Sequence, residues 1–140
     1  RVLFRSASIF DPTIEEDLAK ARAAWTQYQS TRQRDAVYGY LAAVFEIVVG
    51  WKEQRRAEAS SLQALIVTNQ RDAIDADEPF AVVICCTSEA CKLDIKTRSK
   101  WSRVLRYAEQ FKPYTQDLAE FIKSKGDINE CAHKWSNRAR

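Results

Sequence analysis

Six side chains in the segment 92–106 carry the strongest chemical signal of this sequence: Lys96, Arg98, Ser99, Lys100, Arg103 and Arg106. Lys and Arg neutralise phosphate charge and Ser donates a neutral hydrogen bond, so the set suits the backbone of a nucleic acid. Stepped at about 100° per residue, Lys96, Ser99, Arg103 and Arg106 fall on one side of a helix. Arg98 and Lys100 fall at its two margins. The opposite side is apolar: Trp101, Val104, Leu105, Ala108 and Phe111 recur at helical spacing and are expected to bury this helix on a core. Phosphate contacts are expected from all six polar residues, with any base reading left to Arg98 or Lys100.

Other reactive residues form no comparable set. Cys86 and Cys91 are separated by four residues, the upper limit of a common zinc-ligand pair. Cys131 and His133, the only histidine, would point about 200° apart on a helix, so they suit neither a shared metal nor a nucleophile–base pair. The remaining thiol, Cys85, adjoins Cys86 and reads as small apolar bulk. No two carboxylates share an evident apolar pocket, and the three glycines are isolated, which leaves no phosphate-binding loop. The expectation is a non-enzymatic protein with no metal and no cofactor.

The run DIKTRSKWSR resembles the recognition helix of phage-repressor-like helix-turn-helix proteins. In that family a T-x-S-x-W pattern follows an N-cap residue three positions before the Thr. Leu93, Asp94, Thr97, Ser99 and Trp101 stand in the matching places, with Cys91 at the preceding apolar position. Lys92 stands where the family usually has Gly, and Arg98 where it has a buried Val or Ile. The resemblance covers about residues 88–106. It implies a second helix whose start enters the major groove, with Lys96, Arg98, Ser99 and Lys100 near duplex DNA.

The elements that must hold this face are helical. Asp11-Pro12 followed by Glu15, Glu16 and Asp17 reads as a helix start, and Ile14, Leu18, Ala21, Trp25 and Tyr28 form its apolar seam. Residues 35–58 are apolar nearly all round and are expected to form the long central helix. A third helix, capped by Ser60 or Ser61, is expected to run to about Ile74. The segment 80–87, FAVVICCT, suits a buried strand or a buried helix; Pro79 after two acids and the lack of a pairing partner favour helix. The basic helix is expected over 95–110, stopped by Pro113. Two short helices then flank Gly126 as an αα-hairpin, which also suits a second helix-turn-helix, with Lys134, Arg138 and Arg140 as further cations.

Length and composition support this organisation. The chain has 140 residues, 46% hydrophobic and 29% charged, with only three Gly and three Pro. That is enough for one core and little turn chemistry for a β fold. The expectation is an all-α single domain over 1–140, a bundle of six or seven helices divided into 11–74 and 79–137. The net charge of +3 is modest, but the basic residues concentrate after Lys92. Residues 1–10 lack the apolar centre of a secretory signal, and 36–51 is too short and too polar to span a bilayer. Reduced thiols, a cytoplasmic location and no membrane partner are therefore expected. The sequence neither starts with Met nor contains one, so its natural start is expected further upstream. The expected partner is nucleic acid, duplex DNA in particular. The alternative is a helical adaptor or homodimer, joined through residues 11–58, whose basic face meets an acidic protein.

Overall fold

The computed structural model describes residues 11–31, 33, 35–88 and 94–138; among them are seven α-helices and no strand. They are α1 (Pro12–Ser30), α2 (Ala36–Glu53), α3 (Ala57–Val67), α4 (Pro79–Thr87), α5 (Ile95–Phe111), α6 (Leu118–Ser124) and α7 (Ile128–Ser136). The fold is an all-α bundle, and no described helix is long and apolar enough to cross a membrane.

Helix α1 starts where its cap requires. Asp11 has extended backbone and its Oδ1 accepts from the Thr13 amide at 2.8 Å, satisfying an amide with no partner inside the helix. Ile14, Leu18, Ala21 and Trp25 are buried along one seam. Helix α2 packs against α1, α3, α4, α5 and α6, and is the long central element. It ends at Glu53, short of the expected Glu58. Arg55 takes a left-handed conformation (φ 58°), and the Arg56 and Arg55 amides donate back to the carbonyls of Trp51 and Lys52, both at 3.0 Å. This closing motif usually carries glycine, so with Arg at the position the break had no local signal. Helix α3 consequently begins at Ala57, and Ser60 and Ser61 are buried within it instead of capping it. Asn69 (φ 60°) closes it in the same way, leaving Ile74 beyond its end.

Residues 80–87 are helical. Every residue from Phe80 to Thr87 is buried, with α1, α2, α3 and α5 packed around α4. A helix enclosed on all sides has no polar face, which removes the period that would have distinguished it from a strand. Rings from three helices meet beside it: Trp25, Tyr40 and Trp101, with centroids 5.2 to 6.5 Å apart. The Thr87 hydroxyl donates to the Val83 carbonyl at 2.7 Å, so its single proton is committed and the Tyr40 hydroxyl is the donor of their 2.7 Å bond. Burial pushes the Tyr40 phenol well above its ordinary value, outweighing that bond.

Helix α5 is fixed at its start by Asp94, whose Oδ1 accepts from the Thr97 amide at 2.7 Å. This bond holds the Asp94 carboxyl below its ordinary value. Trp101, Val104, Leu105 and Ala108 are buried as the spacing requires, but Phe111 is 50% exposed. Tyr107 takes the core position instead and its ring lies between those of Phe111 and Phe121, at 5.0 and 5.6 Å. Gly126 (φ 120°) turns the chain between α6 and α7, and a Cβ there would lie 2.8 Å from Glu130 Cγ. Asp127 then caps α7 through the Glu130 amide at 2.8 Å.

Candidate nucleic-acid interface

The two margins of α5 face different neighbours. On one side Lys100 Nζ donates to Asn129 Oδ1 on α7 at 3.0 Å. On the other, Arg98 lines a pocket with Ile74, Glu78 and Ala81, residues leading into and belonging to α4. Between these margins Lys96 and Ser99 are exposed, while Arg103 and Arg106 are half-buried. Arg103 Nη1 donates to Ser136 Oγ at 2.7 Å, and Arg106 Nη2 pairs with Glu78 Oε1 at 3.1 Å. Helices α5 and α7 run in the same sense, since Asn129 meets Lys100 near the start of both, and Trp135 shares a depression with Arg106, Glu109 and Gln110 near their ends. Helix α7 thus forms a wall along the basic face.

Two adjoining depressions form this surface. One, of about 230 Å³, is lined by Arg98, Ser99, Ser102, Arg103 and Arg106 with Glu78. The other, of about 480 Å³, is lined by Lys96, Thr97, Ser99, Lys100 and Arg103. All six expected site residues therefore border one continuous surface. Glu78 is the sole acidic residue lining either depression among the described residues. Ser102, Asn129, Ser136 and Glu78 were missed at the level of sequence. The last three act across 28 to 33 residues of chain, a separation that helical spacing does not reach.

In the resembled helix-turn-helix, α4 would be the first helix and α5 the second; the two pack together. Cys91, Lys92 and Leu93, which carry part of that resemblance, lie outside the described residues. Thr97 and Arg98 are half-buried, Ser99 is exposed and Trp101 is buried. Arg98 makes no ion pair with Asp94: the Asp94 carboxylate is occupied by the Thr97 amide, and only the backbones of Asp94 and Arg98 bond, at 3.1 Å.

Basic residues elsewhere add little to this surface. Lys52 pairs with Glu109 at 2.8 Å, and Arg56 pairs with Asp11. The Arg138 guanidinium stacks 3.6 Å above the Trp135 ring and donates to the Trp135 carbonyl at 2.6 Å. Lys134 is exposed on α7, whereas Arg32, Arg34 and Arg140 lie outside the described residues. The seam considered for a homodimer is consumed within one chain: Ile14, Leu18, Ala21 and Trp25 are buried, as are Val37, Leu41, Val44, Val48 and Trp51.

The three described thiols, Cys85, Cys86 and Cys131, are buried. Burial pushes both Cys86 and Cys131 up to about 11 and raises Cys85 as well, with the nearby Arg98 charge opposing the last shift. Cys86 accepts from the Thr68 hydroxyl at 3.3 Å, and Cys85 donates to Gln70 Oε1 at 3.1 Å. A raised thiol is a poor nucleophile near neutral pH. No group of three or more His, Cys, Asp and Glu side chains is placed to hold a metal among the described residues; Cys91 lies outside them. Compared with protein-family models, with characterised proteins and with solved structures, the chain matches none.

Proposed function

We propose that this is a non-enzymatic nucleic-acid-binding protein that lays the outer face of α5 against the phosphates of duplex DNA. The observation carrying this reading is the continuous surface from Lys96 to Arg106, where five cations and Ser99 stand against one lining carboxylate, Glu78. Such a face attracts a polyanion and would release counterions on binding. Trp101, Val104, Leu105 and Ala108 fix the helix to the core, so its cations project from a rigid support. Lys96, Ser99 and Lys100 lie in the first turns, the end that the helix-turn-helix geometry brings to the groove.

Fluorescence anisotropy with a generic duplex across a salt series tests this reading. The log affinity is expected to fall linearly with log salt, with a slope of roughly −0.9 for each phosphate neutralised. Absence of binding to any duplex at low salt would overturn it.

A further inference from the structure

The smaller depression differs from its neighbour because three arginines line it, Arg98, Arg103 and Arg106, where the larger one has Arg103 alone. Ser102 forms part of its wall. This residue is only 6% exposed, and it carries a hydroxyl in the lining of the recess. A serine hydroxyl in that lining can donate to an acceptor seated in the recess. The wall already accepts an oxyanion, since the Glu78 carboxylate sits against Arg106 at 3.1 Å.

We propose that this pocket seats a terminal phosphate at the end of a nucleic-acid strand, an inference resting on the nucleic-acid reading of the same face. An internal phosphodiester carries one charge and has two of its oxygens tied up in esters, so it is met side-on by an exposed face such as that of Lys96 and Ser99. A terminal monoester carries about 1.5 to 2 charges near neutral pH and three strong acceptor oxygens. Planar guanidinium forks and one hydroxyl around a recess complement that group, which can enter end first. Arg98 and Ser102 contact it directly, and Arg106 turns to it from Glu78, its counter-ion in the fold.

The test compares one duplex sequence carrying either a phosphate or a hydroxyl at its strand ends. The phosphate-ended duplex is expected to bind about tenfold more tightly, the effect of one charge-assisted hydrogen bond. Millimolar inorganic phosphate is expected to erase that preference. Arg98→Ala and Ser102→Ala should each shrink it in proteins whose thermal melts remain cooperative, whereas Glu78→Gln, which frees Arg106, should widen it. Equal affinity for the two duplexes overturns the terminal-phosphate seat and leaves the duplex reading standing. A preference that survives both Arg98→Ala and Ser102→Ala overturns it also. Failure of both duplexes to bind at low salt overturns both readings together.

Discussion

The side-chain amide of Gln63 closes on both main-chain groups of Asp11: Nε2 donates to the Asp11 carbonyl at 2.8 Å and Oε1 accepts from the Asp11 amide at 2.9 Å. Gln63 is buried on α3, 52 residues from its partner, so this clasp joins the start of α1 to the middle of α3. Replacing Gln63 with Ala removes both bonds and is expected to cost about 1 to 3 kcal/mol in urea unfolding. Gln63→Glu should cost at least as much, because a carboxylate would face the Asp11 carbonyl without the Nε2 donor. An unchanged urea midpoint in both variants would show that water replaces the clasp.

The ring cluster gives a second test. Trp101 is buried against Trp25 and Tyr40, and Tyr28 lies 6.1 Å from it at the edge of the cluster. Trp101→Ala leaves a cavity where α1, α2 and α5 meet and is expected to cost about 3 to 5 kcal/mol. The same change should alter near-ultraviolet circular dichroism, since a packed ring array is lost. A loss below about 1 kcal/mol would place the ring outside the core.

These two sites show what local spacing could and could not reveal. The apolar seams of α1 and α5 were legible because Ile14, Leu18 and Trp25, or Trp101, Val104 and Leu105, repeat on one helical face. Asp11, Asp94 and Asp127 announced helix starts by short-range capping chemistry, and all three caps are formed. The break after α2 was illegible because Arg55 occupies a conformation usually given to glycine. Segment 80–87 carried no period because four helices cover it. At the basic face, residue types and helical side were legible, whereas the partners Glu78, Asn129 and Ser136 depend on how separate helices pack.

Arg55 is also a site where stability can be gained. Its left-handed backbone costs a residue with a Cβ roughly 1 to 2 kcal/mol, part of which glycine gives back through its freer unfolded chain. Arg55→Gly is therefore expected to stabilise the protein by about 0.5 to 1 kcal/mol, read as a raised thermal midpoint. A lowered midpoint would mean that the Arg55 side chain contributes more than its backbone strain costs.

Alkaline pH should destabilise the fold through its buried thiols. Cys86 and Cys131 are pushed up from 9.0 to about 11 by burial, so the folded state holds protons that the unfolded chain releases first. Stability should be intact below pH 9 and fall as pH rises through the interval from 9 to about 11. The raised Tyr40 phenol adds to the loss from its ordinary value of 10.0 upward, since the unfolded chain releases that proton first. Urea midpoints between pH 8 and 11 measure this, and Cys131→Ala should flatten the decline. With Cys91 replaced by Ser, thiol reagents should modify the native protein far more slowly than the unfolded one; equal rates would contradict the burial.

The cations of α5 should separate by what each one does on DNA. Arg103 lies two turns into the helix, tied to Ser136, where a passing backbone would meet it and no base edge would. Arg103→Ala is expected to weaken binding to all sequences alike and to reduce the salt slope by roughly 0.9, the contribution of one phosphate. Lys100 sits in the earlier turns and is held by Asn129 at 3.0 Å, which limits the directions its ammonium can take. Lys100→Ala should cost about 1 to 3 kcal/mol at particular base pairs and little at others. Asn129→Ala should blur the same preference without altering the salt slope, because it removes the positioning bond and no charge. A selection experiment on randomised duplexes reads both effects together. If Lys100→Ala and Arg103→Ala give the same uniform loss across sequences, α5 contacts phosphates alone, and sequence choice, if there is any, lies in another part of the chain.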